Sequence, residues 1–170
     1  GSAREAVIAS ILVLEDCPLF NAGKGSVFNA DGGHELDASV MDGHTGMAGA
    51  VANVRTVKKP ILLAQAVMLG SPHVMLAGDG AEAFADTQAA IERVSPDYFD
   101  TEHRYRQLLD TQAEAGETAS SDLKGRYFGT VGAVALDAHG HIAAGTSTGG
   151  MTDKRWSRIG DSPIIGAGTF

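Results

Sequence analysis

Cysteine is almost missing from the 170 residues: Cys17 stands alone, which excludes an internal disulfide framework and a zinc site built from cysteines. Cations are also scarce, with 13 Lys and Arg against 21 Asp and Glu and a formal charge of -8. No basic cluster is present, and a nucleic-acid backbone is held by clustered cations that displace its counterions, so that class of partner is excluded. No apolar run approaches the ~18 residues that would span a bilayer, and no charged-then-apolar leader is visible. The expectation is a soluble protein without a membrane partner, placed first in the cytoplasm and second in the periplasm.

What is present in excess is glycine. The chain holds 22, well above the usual share of about 7%. They cluster at 23–25, 32–33, 43–49 and 145–150, which marks particular turns and not a disordered composition.

The hydrophobic period outlines a layered fold. Val7, Ile8, Ile11 and Leu12 form a helical stripe over 3–15, with no structural weight given to Gly1-Ser2. The stretch 17–25 reads as an irregular glycine loop, apolar for a surface segment. Leu36, Ala38 and Val40 alternate with Glu35, Asp37 and Ser39, and an apolar run over 46–54 follows the Asp42-Gly43 turn, which predicts a hairpin. Lys59-Pro60 opens a helix to about Leu69. A short strand over 73–77, an acidic helix over 82–91 and a charged helix from 101 come next. From Thr111 to Gly125 the chain is polar, so a flexible linker is expected over about 111–128. Val131 to Leu136 is a near-continuous apolar run and Ile142 to Thr148 its partner strand, the two joined by the turn Asp137-Ala138-His139-Gly140. A strand without a polar face should be covered on both sides. The fold class is α+β, layered, with no visible elements closing either end.

A polar linker running directly into a buried strand is unusual, and it places Gly129-Thr130 at the junction. If the chain is cut there, Thr130 becomes an amino terminus and carries a hydroxyl nucleophile and an α-amine base in one residue. That amine has a reference pKa of about 7.7–8.0, so it accepts the hydroxyl proton near neutral pH without a histidine. Glycine at 129 tolerates the strained geometry of an attack by the threonine hydroxyl on its carbonyl. Taken alone, the dipeptide is a weak signal and reads first as an ordinary strand threonine, because Gly-Thr pairs are common and threonine favours strands.

The surrounding motifs bear on that choice. The stretch Leu14-Glu15-Asp16-Cys17-Pro18-Leu19-Phe20-Asn21-Ala22-Gly23-Lys24-Gly25 resembles the glycine loop of the plant-type L-asparaginases, or isoaspartyl peptidases, of the N-terminal-nucleophile hydrolases. His34-Glu35-Leu36-Asp37-Ala38 with Met41-Asp42-Gly43 is similar to a second motif of that family. Residues 129–137 resemble its self-cleavage site, and 145–152 with Arg158-Ile159-Gly160-Asp161-Ser162-Pro163 resemble its active-site strand and substrate loop. Four motifs in order cover most of residues 7–170.

The resemblance implies a four-layer αββα sandwich, with 1–129 as part of an α-subunit and 130–170 as the start of a β-subunit. It implies hydrolysis of L-asparagine and β-aspartyl peptides through an acyl-enzyme on Thr130, with glycosylasparaginase, or an unprocessed inactive assembly subunit, as the alternatives. Thr148 and Asn21 join the catalytic set, Asn21 with loop capping as its other reading. Arg158 and Asp161 take the substrate's α-carboxylate and α-amino groups, chemistry suited to a guanidinium fork and a carboxylate acceptor. No catalytic cofactor is implied, but a structural sodium ion is, held by the backbone carbonyls of Leu14, Glu15, Cys17, Phe20, Ala22 and Lys24. The assembly implied is a homodimer of two-chain units, (αβ)2.

Some features depart from the pattern or only look like other motifs. The family's first strand would precede residue 3 and its oxyanion-hole motif would follow Phe170, so the working enzyme is expected to be longer. Asp153 and Trp156-Ser157 replace an asparagine and a smaller pair, changes expected to alter the pocket rim. Gly23-Lys24-Gly25-Ser26 lacks the spacing of a phosphate loop, and His34-Glu35 lacks the second histidine of a zinc helix.

Overall fold

The computed structural model describes residues 1–117 and 129–170. Helix α1 (Ala3–Asp16) starts at Ser2, whose hydroxyl accepts the Glu5 N–H while the Glu5 carboxylate accepts the Ser2 N–H. That reciprocal cap gives Ser2 a role the sequence reading withheld. The hairpin follows as β1 (Leu36–Asp42) and β2 (Met47–Val54), then α2 (Pro60–Gly70), β3 (Met75–Ala77), α3 (Gly78–Asp86), α4 (Glu102–Glu117), β4 (Val131–Leu136) and β5 (Ile142–Thr148). Proline opens α2, where its missing N–H is no loss.

The strands form one sheet in the order β3-β2-β1-β5-β4, antiparallel throughout except for β2 with β3. Helices α1 and α2 pack on it: Val7 and Ile11 from α1, Ile61, Leu63 and Val67 from α2, and Leu36, Val40 and Val51 from the strands are fully buried. The α+β class is therefore what the described residues show. Of the four layers the resemblance implies, they contain this sheet and the helices against it. Among them, no helix is long and apolar enough to cross a membrane.

Both faces of β1 are covered, since the polar positions Asp37 and Ser39 are completely buried as well. Segment 151–170 covers them: the Ser39 hydroxyl donates to the Ser162 carbonyl at 2.6 Å and lies 2.6 Å from the Thr169 hydroxyl. Conversely, β4 is not covered on both sides. It is an edge strand, and Val134, 76% exposed, and Leu136 point away from the helices with nothing over them among the described residues. Residue polarity does not report which face a distant segment will cover.

The linker expectation also changes. Helix α4 continues through 111–117, and its residues 112–115 carry their polar side chains exposed; the remainder, 118–128, lies outside the described residues. The acidic helix begins earlier than expected, at Gly78, and ends at Asp86.

Asp137 organises the β4–β5 turn as the sequence suggested. Its Oδ1 accepts the N–H groups of His139 and His141 at 2.9 and 3.0 Å. The His141 bond is the first of the causes that hold its carboxyl down at about 2, against an ordinary 3.8. A carboxyl lowered on folding adds stability that is complete above pH 3.8 and fades as pH falls toward 2. Urea midpoints measured from pH 7 down to 2.5 should therefore drop more steeply below pH 4 in the parent than in Asp137→Asn. Parallel declines would show that the turn carboxylate contributes nothing.

Candidate active site

The glycine loop leaves α1 and is fixed from outside. The Lys24 ammonium donates to the carbonyls of Tyr98 and Asp100, and the buried Arg104 guanidinium of α4 donates to the Gly25 carbonyl at 2.7 Å. Within the loop, Asn21 uses each polar group on a separate partner. Its N–H donates to the Gly129 carbonyl at 2.9 Å and its carbonyl accepts the Gly149 N–H at 3.1 Å. Its side-chain amide donates to the Gly150 carbonyl at 2.6 Å and accepts the Val27 N–H at 3.0 Å. The side chain thus performs the capping job, and the backbone N–H lies on the carbonyl of the proposed cut.

Gly129 has φ +99, and a Cβ there would fall 2.8 Å from the Asn21 nitrogen. Both the backbone angle and the close approach require glycine. The next residue, Thr130, is at the open start of β4, and its hydroxyl is 2.9 Å from that of Thr148 at the end of β5. Thr148 also accepts the Gly150 N–H at 3.0 Å. With that lone pair occupied, the Thr148 hydroxyl is free to orient its own proton toward Thr130.

Asn21, Thr130, Thr148, Met151, Arg158 and Asp161 line one cleft of about 240 Å³. The catalytic and substrate residues named from the sequence therefore meet in one place. Neither Arg158 nor Asp161 forms an ion pair among the described residues. A cation, an anion and a hydroxyl pair lining one cleft suit a zwitterionic ligand with a reacting group a short distance away.

Beneath the cleft is a buried charged group that the sequence reading did not assign. Asp37 pairs with Thr148 across β1 and β5, so both side chains leave the same sheet face. Its Oδ1 accepts the Asn53 N–H at 2.9 Å, while Oδ2 has no hydrogen-bond partner among the described residues. Burial pushes the Asp37 carboxyl up, and the nearby Lys154 charge works against that. Lys154 is buried too; its ammonium donates to the Glu35 carbonyl at 2.9 Å, and burial pushes its pKa down, countered by Asp37 and Glu35. The sequence signal for Asp37 was its place in the motif His34-Glu35-Leu36-Asp37-Ala38, to which no role was attached.

Of the six carbonyls expected to hold sodium, those of Leu14 and Glu15 end helix α1 and the other four lie in the loop that Gly23 and Gly25 close. A Cβ on Gly23 would sit 2.3 Å from the Glu15 carbonyl oxygen, and one on Gly25 2.1 Å from that of Phe20. The backbone folds against its own oxygens there, a cradle of hard donors that fits a small cation. Three of the six, on Leu14, Cys17 and Ala22, already accept one backbone N–H each, and each keeps a second lone pair. Among the described residues no three His, Cys, Asp or Glu side chains gather to hold a metal, so the donors here would be backbone. The Glu15 side chain turns instead into the core, where its Oε1 accepts from the Ser147 hydroxyl at 2.6 Å and the Ile61 N–H at 3.1 Å, and burial pushes its carboxyl up to about 7.

Fold and cleft together define an α+β protein whose strand-start threonine, after a positive-φ glycine, is paired with a threonine on the neighbouring strand. The chain belongs to the asparaginase family, whose model matches residues 1–170. It is 54% identical to the isoaspartyl peptidase of Salmonella typhimurium and 53% identical to that of Escherichia coli, over 99% of its own length and 55% and 54% of theirs. It is 46% identical to the plant-type L-asparaginase of Pyrococcus furiosus, over all of this chain and 58% of that protein. The chain spans about half the length of the curated relatives it matches.

If Asn21 joins loop, junction and β5 end as described, Asn21→Ala leaves the buried Val27 N–H unsatisfied. The loss should be about 1–3 kcal/mol, read from urea unfolding, with Asn21→Asp keeping the Val27 bond and losing the donor to Gly150. A change under about 0.5 kcal/mol in Asn21→Ala would show that the two side-chain contacts, to Gly150 and Val27, are not a brace.

Proposed function

We propose that this chain is the catalytic portion of a self-cleaving threonine amidohydrolase acting on L-asparagine and β-aspartyl peptides. The observation that carries the reading is the 2.9 Å contact of the Thr130 and Thr148 hydroxyls in a cleft that Arg158 and Asp161 also line. The relatives named isoaspartyl peptidase and L-asparaginase support it.

The first reaction is on the chain itself. The Thr130 hydroxyl oxygen attacks the Gly129 carbonyl, already polarised by the Asn21 N–H; the peptide nitrogen leaves as the Thr130 amine, taking up the hydroxyl proton. Water then hydrolyses the resulting ester, giving a Gly129 carboxylate and an N-terminal threonine with its hydroxyl restored. In turnover the free α-amine accepts the hydroxyl proton, and the oxygen attacks the β-carbonyl of the substrate. Ammonia or an amino acid departs with that proton, and water resolves the acyl ester to aspartate. Arg158 forks onto the substrate's α-carboxylate and Asp161 accepts from its ammonium, fixing the β-carbonyl near Thr130. Thr148 steadies the nucleophile through its hydroxyl. A sodium ion on the carbonyls of Leu14, Glu15, Cys17, Phe20, Ala22 and Lys24 would hold the loop around Asn21, and an (αβ)2 assembly in the cytoplasm completes the reading.

Intact mass of the full-length protein tests the first step: it should fall into two chains split before Thr130, and Thr130→Ala should stay whole. The processed protein should release ammonia from asparagine and aspartate from β-aspartyl-leucine. Thr148→Val should lower kcat by about 10- to 100-fold, the scale of one hydrogen bond to a reacting oxygen. An uncut parent, or a cut one active only on glycosylasparagine, overturns the proposal.

A further inference from the structure

Arg158 reaches the cleft from the end of a turn, residues 153–158, that is held in an uncommon shape. Asp153, Trp156 and Ser157 have φ of +61, +57 and +51. Non-glycine residues in the left-handed region are strained, and such strain persists only where neighbours impose it. The near end is imposed by the segment 28–30: the Asp153 N–H donates to the Phe28 carbonyl at 3.0 Å and the Ala30 N–H donates to the Lys154 carbonyl at 2.9 Å.

The far end, next to Arg158, is imposed by Glu35. Its Oε1 accepts the Ser157 hydroxyl at 2.8 Å and lies 3.8 Å from the Arg55 guanidinium. Its Oε2 lies 3.7 Å from the Lys154 ammonium, which also donates to the Glu35 carbonyl at 2.9 Å. The Glu35 and Lys154 side chains are 7% and 1% exposed, so one carboxylate, removed from water, faces both ends of the turn. The Asn53 amide adds a bond to the Ser157 carbonyl at 3.1 Å.

Glu35 is itself fixed against the nucleophile. It directly precedes β1, and two residues further on Asp37 pairs with Thr148 across β1 and β5. The Thr148 hydroxyl is 2.9 Å from that of Thr130. One short run of backbone therefore connects the hydroxyl pair to the residue before Arg158. The Arg158 guanidinium forms no ion pair among the described residues and rests on Gly160, where a Cβ would lie 3.0 Å from Nη1. A substrate with a β-amide beside its α-carboxylate keeps those groups two carbons apart. The spacing between the guanidinium and Thr130 therefore decides whether both are engaged at once.

We propose that Glu35 is a positioning residue for the substrate grip: by accepting the Ser157 hydroxyl and facing Lys154, it sets the Arg158 guanidinium at the spacing from Thr130 that an α-carboxylate and a β-carbonyl on one substrate require. Glu35 is not among the residues that line the cleft, so it acts through Arg158. The inference rests on the hydrolase reading above.

The test is a ratio of two inhibition constants, that of β-alanine divided by that of L-aspartate, measured against hydrolysis of asparagine or β-aspartyl-leucine by the full-length processed protein. Both inhibitors carry an ammonium and a carboxylate in place of the β-amide, and β-alanine lacks the α-carboxylate, so the ratio reads the Arg158 grip. Ser157→Ala, which removes no buried charge, should lower the ratio by about 3- to 10-fold, the scale of one hydrogen bond. Glu35→Ala should lower it by about 10-fold or more, the scale of a misplaced group. Glu35→Gln keeps an oxygen for the Ser157 hydroxyl without the charge beside Lys154, and should recover most of the loss. A merely structural role would lower the amount of folded protein, and with it kcat, and leave the ratio where it was. A Glu35→Ala ratio within twofold of the parent's, or a Ser157→Ala ratio within twofold should Glu35→Ala not fold, overturns the inference and leaves the hydrolase reading standing. A parent that binds the two inhibitors equally overturns it together with the role of Arg158, and a parent inactive on asparagine and on every β-aspartyl peptide overturns the hydrolase reading as well.

Discussion

Asn21 binds three segments that are far apart in sequence, and the geometry of the cleft depends on it. Its backbone N–H holds the Gly129 carbonyl, its carbonyl holds Gly149, and its side chain ties Gly150 to Val27. Gly149 and Gly150 follow Thr148 directly, while Gly129 precedes Thr130, so one asparagine sets the spacing of the two hydroxyls from both sides. Glycine at these places is part of the same constraint: a Cβ on Gly149 would lie 2.6 Å from the Asn21 side-chain oxygen. The loop that carries Asn21 is in turn fixed by two cations. Lys24 and Arg104 donate into backbone carbonyls, and burial lowers the Arg104 pKa, so the loop is held by charge-assisted hydrogen bonds.

A second constraint lies under the cleft. Removing Asp37, Glu35 and Lys154 from water is costly, and a buried ion pair is weak evidence of stabilisation by itself. What the group does is positional. Glu35 holds Lys154 through its carbonyl and Ser157 through its carboxylate, so one residue at the start of β1 sets both ends of the turn that delivers Arg158. The positive charge of Lys154 also makes up part of the electrostatic deficit at Asp37. Charged residues in this place fix a loop in one conformation, as a hydrophobic replacement of equal volume would not, because a methyl group gives the Ser157 hydroxyl no acceptor.

How much of this was legible follows from the range of each interaction. Helix α1, the β1–β2 hairpin, α2 with its leading proline and the Asp137 turn are set by neighbours within a few residues, and period and turn chemistry revealed them. Face burial is set by segments more than a hundred residues away. Ser39 is buried by Ser162 and Thr169, and Val134 is exposed because β4 is an edge; neither follows from the local pattern. The same holds in the cleft. Thr130, Thr148, Arg158 and Asp161 could be named because the resemblance attaches a role to each, whereas Asp37 stood in a motif without one and Lys154 is a residue type that locally signifies a solvated surface. The left-handed turn at Trp156 could not be read at all, since neither tryptophan nor serine signals a positive φ.

The uncut chain also shows what the cut would change. The Thr130 hydroxyl already faces Thr148 at 2.9 Å, and Arg158 and Asp161 already share its cleft. On the hydrolase reading, nucleophile, hydroxyl partner and substrate grips are therefore assembled before cleavage, and the base is the component held back, because the Thr130 nitrogen is an amide. An amide nitrogen has no available lone pair, while an amine with a pKa of about 7.7–8.0 has one in a useful fraction of molecules at neutral pH. Cleavage then needs no large rearrangement to switch the site on. It needs one bond broken beside a carbonyl that the Asn21 N–H already polarises, at a glycine whose φ of +99 only that residue adopts easily. The close approach at Gly129 and the order around Thr130 are two sides of one arrangement: the brace that makes the site precise also holds the carbonyl of the bond whose loss would make it active.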